Sequence, residues 1–451
     1  MQFLELFKNK LVKNISWLFF DKIFRMTYGI FVSVLVARYL GPVAFGELNF
    51  SIAFVYVFLV ISSLGMEQVL IRELTLSKED RNKIISTSLI MRGLASIIIY
   101  LLVVVMAIRY NPDISTHLLI IIIGTQILLQ VTDVFFAVFM AEVNSKYVVL
   151  ARNIGFLFSG LIKVVFVFIK LSLVWFAFAT VVEFFVCSLL IIWFFKRKTD
   201  IQISLKYWDK QIGKQILNSS YPLIISSFFY VIYTKLDQVM LGYLTSSDEV
   251  GYYAVAAKLS EVWYFIPSAI VNSFYPELVK LKEQNTNRFK GLIMNLMTVL
   301  TALALSIALF FTFFSEILIE SLYGAEYIAS GKILTIHIWS CLIVFSAVVS
   351  GAWFVINRLE KYSFYRTGTG AIVNIALNFM LIPVYGALGA AVATLIAKFI
   401  ASYLMNGMFA KTKPVFLLQT KAYFNVMKIL PVYRISKKLL HDVKFSQRFE
   451  K

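Results

Sequence analysis

The chain carries little that reacts. Two cysteines, Cys187 and Cys341, and three histidines, His117, His337 and His441, are scattered over 451 residues. Both cysteines lie in apolar runs, which argues against a disulfide framework, and the histidines have no metal-ligand spacing. No Walker-type glycine loop is present, so the chain does not read as an ATPase, and the sequence calls for no cofactor. Charge is scarce: 15% of residues are charged against 60% hydrophobic, with a mean hydropathy of +0.80. A soluble domain carries about 25% charged residues, so this is the composition of a polytopic membrane protein.

With about 20 residues per spanning helix, the apolar runs predict twelve spans, at 16–37, 47–69, 84–108, 118–139, 150–169, 173–195, 218–243, 252–275, 291–314, 330–354, 367–383 and 388–409. Lys8, Lys10 and Lys13 lead into the first run without a small-residue cleavage site, so it is read as a retained span. The fold class expected is all-α, with two six-helix pseudo-symmetric bundles. Residues 1–195 form the first bundle and 217–410 the second. A basic cytoplasmic linker at 196–216 lies between them, and a basic amphipathic tail at 411–451 follows, lying on the anionic inner leaflet.

The formal net charge of +18 is a topology signal. With the N-terminus inside, the basic residues fall in alternate segments, at 70–83, 146–152, 196–216, 276–290, 355–366 and in the tail. The opposite loops hold only Arg38, Arg109 and Lys170, with Lys332 at a span edge. That pattern predicts N-in and C-in in the inner membrane and gives no nucleic-acid patch. The halves also echo one another. Residues 39–46 resemble 243–251, and Ala177–Thr180 resembles Ala391–Thr394, as in a parallel repeat about an axis normal to the membrane.

The most informative stretch is Asn374–Thr394, in which an apolar helix meets Pro383, a turn with Gly386 and Gly389, and a small-residue helix face. With Ala37–Pro42, Phe45-Gly46, Leu236–Leu244 and Val250–Glu261, it resembles the signature of bacterial polysaccharide exporters of the MOP (multidrug/oligosaccharidyl-lipid/polysaccharide) superfamily, the Wzx-type flippases. The resemblance touches both halves. It implies a MATE-like fold and a lipid-linked glycan as cargo, with a polysaccharide polymerase and chain-length regulator as partners.

Charges inside spans are costly and so are candidate functional residues. The basic ones are Lys22, Arg25, Arg92, Lys163, Lys235, Lys258 and Lys398. The acids are Asp21, Asp133, Glu183, Asp237 and Glu261. Similar depth suggests the pairs Arg92–Asp133, Lys163–Glu183 and Asp237–Lys258, read either as packing ion pairs or as proton or sodium coupling sites. The surplus of positive charge predicts a net-basic cavity fit for a lipid pyrophosphate. Asn374, Asn378, Tyr230, Tyr233 and Trp263, with Gln126, Gln130, Ser226 and Ser227, are candidate sugar contacts. Pro222 and Pro267 predict kinks, and spans 1, 2, 7 and 8 are placed around the cavity.

The function expected is a non-enzymatic flippase. It would move undecaprenyl-pyrophosphate-linked repeat units across the plasma membrane by alternating access, toward O-antigen, capsule or exopolysaccharide. The alternatives are a cation-coupled multidrug exporter of the same superfamily, a lipid II flippase, and a membrane polymerase or glycosyltransferase. The last usually needs a long outer loop with catalytic carboxylates, and the longest outer loop here is at 315–329.

Overall fold

The computed structural model describes residues 10–76, 80–110 and 114–427, with side chains for 24–76, 80–109 and 115–426. Every regular element among them is a helix. That follows from the sequence: in hydrocarbon each backbone N–H and C=O must be satisfied within its own segment. Nine helices among the described residues are long and apolar enough to cross a membrane, or ten if one pair bent by 45° counts as a span.

The chain divides into two compact units. The first comprises residues up to Gly242 together with Ser246–Gly251. It contains α1 (Lys10–Ser62), α2 (Glu67–Leu76), α3 (Arg81–Tyr110), α4 (Ile114–Gly124), α5 (Asp133–Ala141), α6 (Ser145–Phe168), α7 (Leu173–Lys198) and α8 (Lys210–Leu244). The division falls at the end of α8, so the seventh expected span groups with the first unit rather than lying beyond a boundary at 196–216. Helices α6 and α7 pack along each other and against α1, and α2 packs on α5.

The helix count falls short of twelve at two places. The expected spans 16–37 and 47–69 run together in α1, and 367–383 and 388–409 run together in α14 (Glu360–Phe399) and its continuation. Each long helix is interrupted once, at Gly41 (φ 71°, ψ 171°) and at Gly386 (φ 54°, ψ −134°). Only glycine takes such dihedrals without strain. Pro42 follows the first break and Pro383 precedes the second by three residues. Helix α9 (Ser247–Glu261) begins in the first unit, where its first turn lies against α1. A Cβ on Gly46 would overlap the Ser247 carbonyl, and one on Gly251 would overlap the Pro42 carbonyl. Thus 42–46 and 247–251, which belong to the stretches that echo each other in sequence, pack directly together.

The second unit holds Tyr243–Thr245 and the residues from Tyr252 on. After α9 and a tight turn at Val262–Tyr264 come α10 (Phe265–Gln284), α11 (Thr286–Tyr323), α12 (Ile328–His337), α13 (Ser340–Ile356) and α14. A π-helical stretch, Ile400–Leu404, and α15 (Lys413–Met427) follow. The tail helix α15 is docked on helices of its own unit. It packs along α11 and α13, burying Val415, Gln419 and Ala422, which lie four and three residues apart on one face. Gln419 Nε2 donates to Ser346 Oγ at 2.8 Å, and Gln419 Oε1 accepts from Asn406 Nδ2 at 3.0 Å. The rest of the expected tail, 428–451, lies outside the described residues.

Candidate functional site

A cavity of about 440 Å³ opens inside the first unit. It is within the size range of small-molecule sites, about 300–1,000 Å³. Six helices line it. The end of α1 gives Tyr56, Leu59, Val60 and Ser63, and α2 gives Glu67 and Gln68. Arg92 comes from α3, Asp133 and Phe136 from α5, Arg152 from α6, and Leu223 and Ser227 from α8, with Gln130 just before α5.

Local geometry explains these positions. Leu64 and Gly65 take positive φ (53° and 58°), which ends the run of α1 and turns the chain so that α2 starts at Glu67. Arg92 lies three turns into α3 and is 4% exposed. Its Nη2 is 3.4 Å from Asp133 Oδ2, which joins the pair expected from equal depth. Arg152 also acts on the Asp133 carboxylate, as does Glu67 with opposite sign. The Arg152 guanidinium sits over the Phe136 ring at 4.7 Å, which fixes its plane.

Behind the cavity, Arg25 locks three helices. It pairs with Glu183 on α7 at 2.7 Å, donates to the Arg152 carbonyl on α6 at 3.1 Å, and covers the Phe156 ring at 4.2 Å. The expected Lys163–Glu183 pair is therefore corrected. Lys163 stays within electrostatic reach of that carboxylate, but the short bond belongs to Arg25, whose longer, forked side chain spans α1 to α7.

The other sequence candidates fall in several places. Lys22 and Asp21 lie on α1 with side chains outside those described. Lys235 (half-buried), Asp237 (buried) and Tyr230 (exposed) are on α8 in the first unit, with Tyr233 half-buried. Lys258 (exposed), Glu261 and Trp263 belong to the second unit, where Trp263 packs edge-on against Phe311 at 5.9 Å. Lys398 is buried and donates to the Tyr264 hydroxyl at 3.0 Å. Asn374 and Asn378 are fully buried in the second unit. Asn378 Nδ2 donates to Asn374 Oδ1 at 3.2 Å, and Asn374 Nδ2 donates to Thr394 Oγ1 at 3.5 Å. They hold packed helix faces together and present no open surface to a sugar. Pro222 sits inside continuous α8, while Pro267 lies in the first turn of α10, where a missing N–H costs nothing.

This cavity is balanced in charge. The charged groups lining this one are two arginines and two carboxylates. The surplus lysines Lys163, Lys235, Lys258 and Lys398 are not among its lining. Arg152 and Glu67 are the charged lining residues absent from the candidates drawn from sequence, as are Tyr56, Ser63 and Gln68 among the polar ones. Arg152 was counted as a loop charge because the helix was started at 150. In fact α6 starts at Ser145 and carries Arg152 in its second turn.

Known proteins share this architecture. The fold resembles the lipid II flippase MurJ in an inward closed conformation (TM-score 0.72, 15% identity, 96% of this chain and 99% of that one). It also resembles an inward-facing multidrug resistance MATE family transporter of the MOP superfamily (TM-score 0.69, 14% identity, 92% and 99%). In sequence the chain is 20% identical to the capsular polysaccharide biosynthesis protein CapF of Staphylococcus aureus, over 87% of this chain and 97% of that protein. It is 22% identical to a putative O-antigen transporter of Shigella flexneri, over 89% and 98%. Residues 11–282, more than half of the chain, match the family described as polysaccharide biosynthesis protein. This multi-span membrane chain therefore belongs to the polysaccharide biosynthesis protein family.

Proposed function

We propose that the chain flips a lipid-linked oligosaccharide across the plasma membrane, N-terminus and C-terminus inside, with Arg92 and Arg152 holding the pyrophosphate of the carrier lipid. The observation that carries this reading is a polar cavity lined by two guanidiniums, one of which, Arg92, pairs with the Asp133 carboxylate that lines it too. A guanidinium binds phosphate oxygens through paired N–H bonds. An entering diphosphate competes with Asp133 for Arg92, whose 3.4 Å contact is long for a charge-assisted bond. Gln68, Gln130, Tyr56, Ser63 and Ser227 supply partners for sugar hydroxyls, and the polyprenyl tail stays in lipid. Transport in this reading is alternating access without chemistry on the cargo, in company with a polymerase and a chain-length regulator. Asp133, Glu67, Asp237 and Glu261 are the acids available for proton or sodium coupling.

The balanced charge of the cavity also suits a second reading, export of cationic drugs through Asp133 and Glu67. Deleting the gene separates the two. Lipid-linked repeat units accumulating on the inner leaflet, with loss of surface glycan, support the flippase, and their mass names the cargo. Unchanged glycan with greater sensitivity to cationic dyes supports the drug exporter.

A further inference from the structure

The connection between α7 and α8 is tied down by its backbone and yet turns apolar side chains outward. Residues 199–209 run against the first two turns of α3. Three of their amides donate to side chains there: Gln202 N to Asn82 Oδ1 at 3.1 Å, Ser204 N to Ser86 Oγ at 3.3 Å and Asp209 N to Thr87 Oγ1 at 3.0 Å. Asn82 and Ser86 are one turn apart on a single face of α3. Ser204 Oγ accepts from Lys206 N at 3.3 Å and caps a short 3₁₀ turn, Leu205–Tyr207. Asp209 Oδ1 accepts from the Gln211 and Ile212 amides at 2.8 and 3.1 Å and caps α8. Ile201 packs on the core of the unit.

What this linker shows to the outside is apolar. Leu205 is 81% exposed, Ile203 49% and Trp208 44%. Leu94, Ile98 and Leu101 of α3 are exposed too, but they sit within a spanning helix, where lipid covers them. The linker residues lie between spans, and three large apolar side chains presented within six residues mark a contact surface.

Charge and position say what covers it. Around the patch Lys196, Arg197, Lys198, Lys206, Lys210 and Lys214 are all exposed. The acids of the same stretch are Asp200 and Asp209, and Asp209 is engaged in capping α8. Helix α7 has 26 residues, about 39 Å at 1.5 Å per residue, close to the 40–45 Å of a bilayer with its headgroups. Its last turn, and the linker that leaves it, therefore lie at headgroup level. Exposed Trp193, with the Arg197 guanidinium over its ring at 5.0 Å, marks that level. Residues 428–451 of this chain carry a basic surplus of their own, so charge disfavours them as the cover.

We propose that the linker between α7 and α8 is an anionic-lipid anchor. Ile203, Leu205 and Trp208 enter between the headgroups, and Lys206 and Lys210 take the phosphates of anionic phospholipids. In the orientation proposed above the leaflet is the inner one, and the anchor holds whatever the cargo. It fixes the start of α8, whose Leu223 and Ser227 line the cavity, about four turns further on.

The test uses the full chain in nanodiscs. With Cys187→Ala and Cys341→Ala, Ile203→Cys supplies the one thiol of the chain. It takes a nitrobenzoxadiazole label beside an intact Leu205 and Trp208. Phosphatidylcholine nanodiscs carry a small fraction of phosphatidylglycerol or of phosphatidylcholine with a doxyl quencher near the headgroup. The expected result is quenching by both lipids, stronger by phosphatidylglycerol, with that preference falling about fivefold on Lys206→Gln and again on Lys210→Gln. A label that neither lipid quenches overturns the proposal, and shielding of that label from aqueous iodide would then assign the patch to a protein surface. Equal quenching by the two lipids, or a preference unmoved by the loss of both lysines, overturns the recognition of anionic lipid and the anchor with it.

Discussion

Arg25 Nη2 lies 2.7 Å from the Glu183 carboxylate and ties α1 to α7 across 158 residues of sequence. The same guanidinium donates to the backbone of Arg152, whose side chain lines the cavity. The pair therefore positions a cavity arginine from behind, without itself being among the lining residues.

Arg25→Ala is expected to strand Glu183 in a half-buried setting. Breaking a fully buried pair costs about 3–5 kcal/mol; this one is 31% and 16% exposed, so a loss of about 1–3 kcal/mol is expected. Thermal melts of the detergent-solubilised protein check it. The exchange Arg25→Glu with Glu183→Arg should recover more stability than either change alone. Equal loss in the double variant would argue that the Arg152 carbonyl and the Phe156 ring matter more than the ion pair.

Arg92→Gln and Arg152→Gln test the cavity. Both variants are expected at wild-type level in the membrane with surface glycan reduced about tenfold or more, since each removes a forked donor from the cavity lining. Normal glycan in both would remove the phosphate-binding role.

Gly46→Val and Gly251→Val test the contact between 42–46 and 247–251. Neither site has room for a Cβ, because a backbone carbonyl stands in the way. Overpacking of this kind costs about 1–3 kcal/mol or displaces a helix. Aggregation on size-exclusion chromatography, or a lowered melting temperature, is the expected readout, and wild-type behaviour of both variants would show that the helices can part freely here.

Gln419→Ala tests the docking of α15. It removes buried hydrogen bonds to Ser346 and Asn406, which keep bonds to Ile343 and Ser402, so the expected cost is about 0.5–1.5 kcal/mol per bond lost. Gln419→Leu, which fills the volume without the bonds, should melt as low. Recovery by leucine would mean that packing rather than hydrogen bonding holds the helix.

Much of the architecture was legible because lipid enforces it. Long apolar runs had to be helices, and Pro383 with Gly386 marked the place where the second long helix breaks. The Arg92–Asp133 pair was legible from depth alone, since a charge in a span seeks a partner at its own level. Glu183 was misassigned because two cations, Arg25 and Lys163, compete for it, and depth does not rank them by reach. Asn374 and Asn378 looked like sugar contacts because spacing shows which residues share a face but not what that face meets. Arg152 was missed through an error of five residues in a helix start, enough to move a charge from a cavity wall to a loop.

The anchoring of α15 also has a consequence for biosynthesis. Ser346 finds its partners Gln419 and Tyr423 only 73 and 77 residues later in the chain. A ribosome that has just delivered α13 leaves that serine, and later Asn406, with partners in their own segments only until α15 is made. The closing step in assembly of the described part of the second unit is therefore the arrival of α15. Insertases or chaperones that shelter polar faces of nascent spans have a task here, and slow codons between Ser346 and Gln419 should lengthen it.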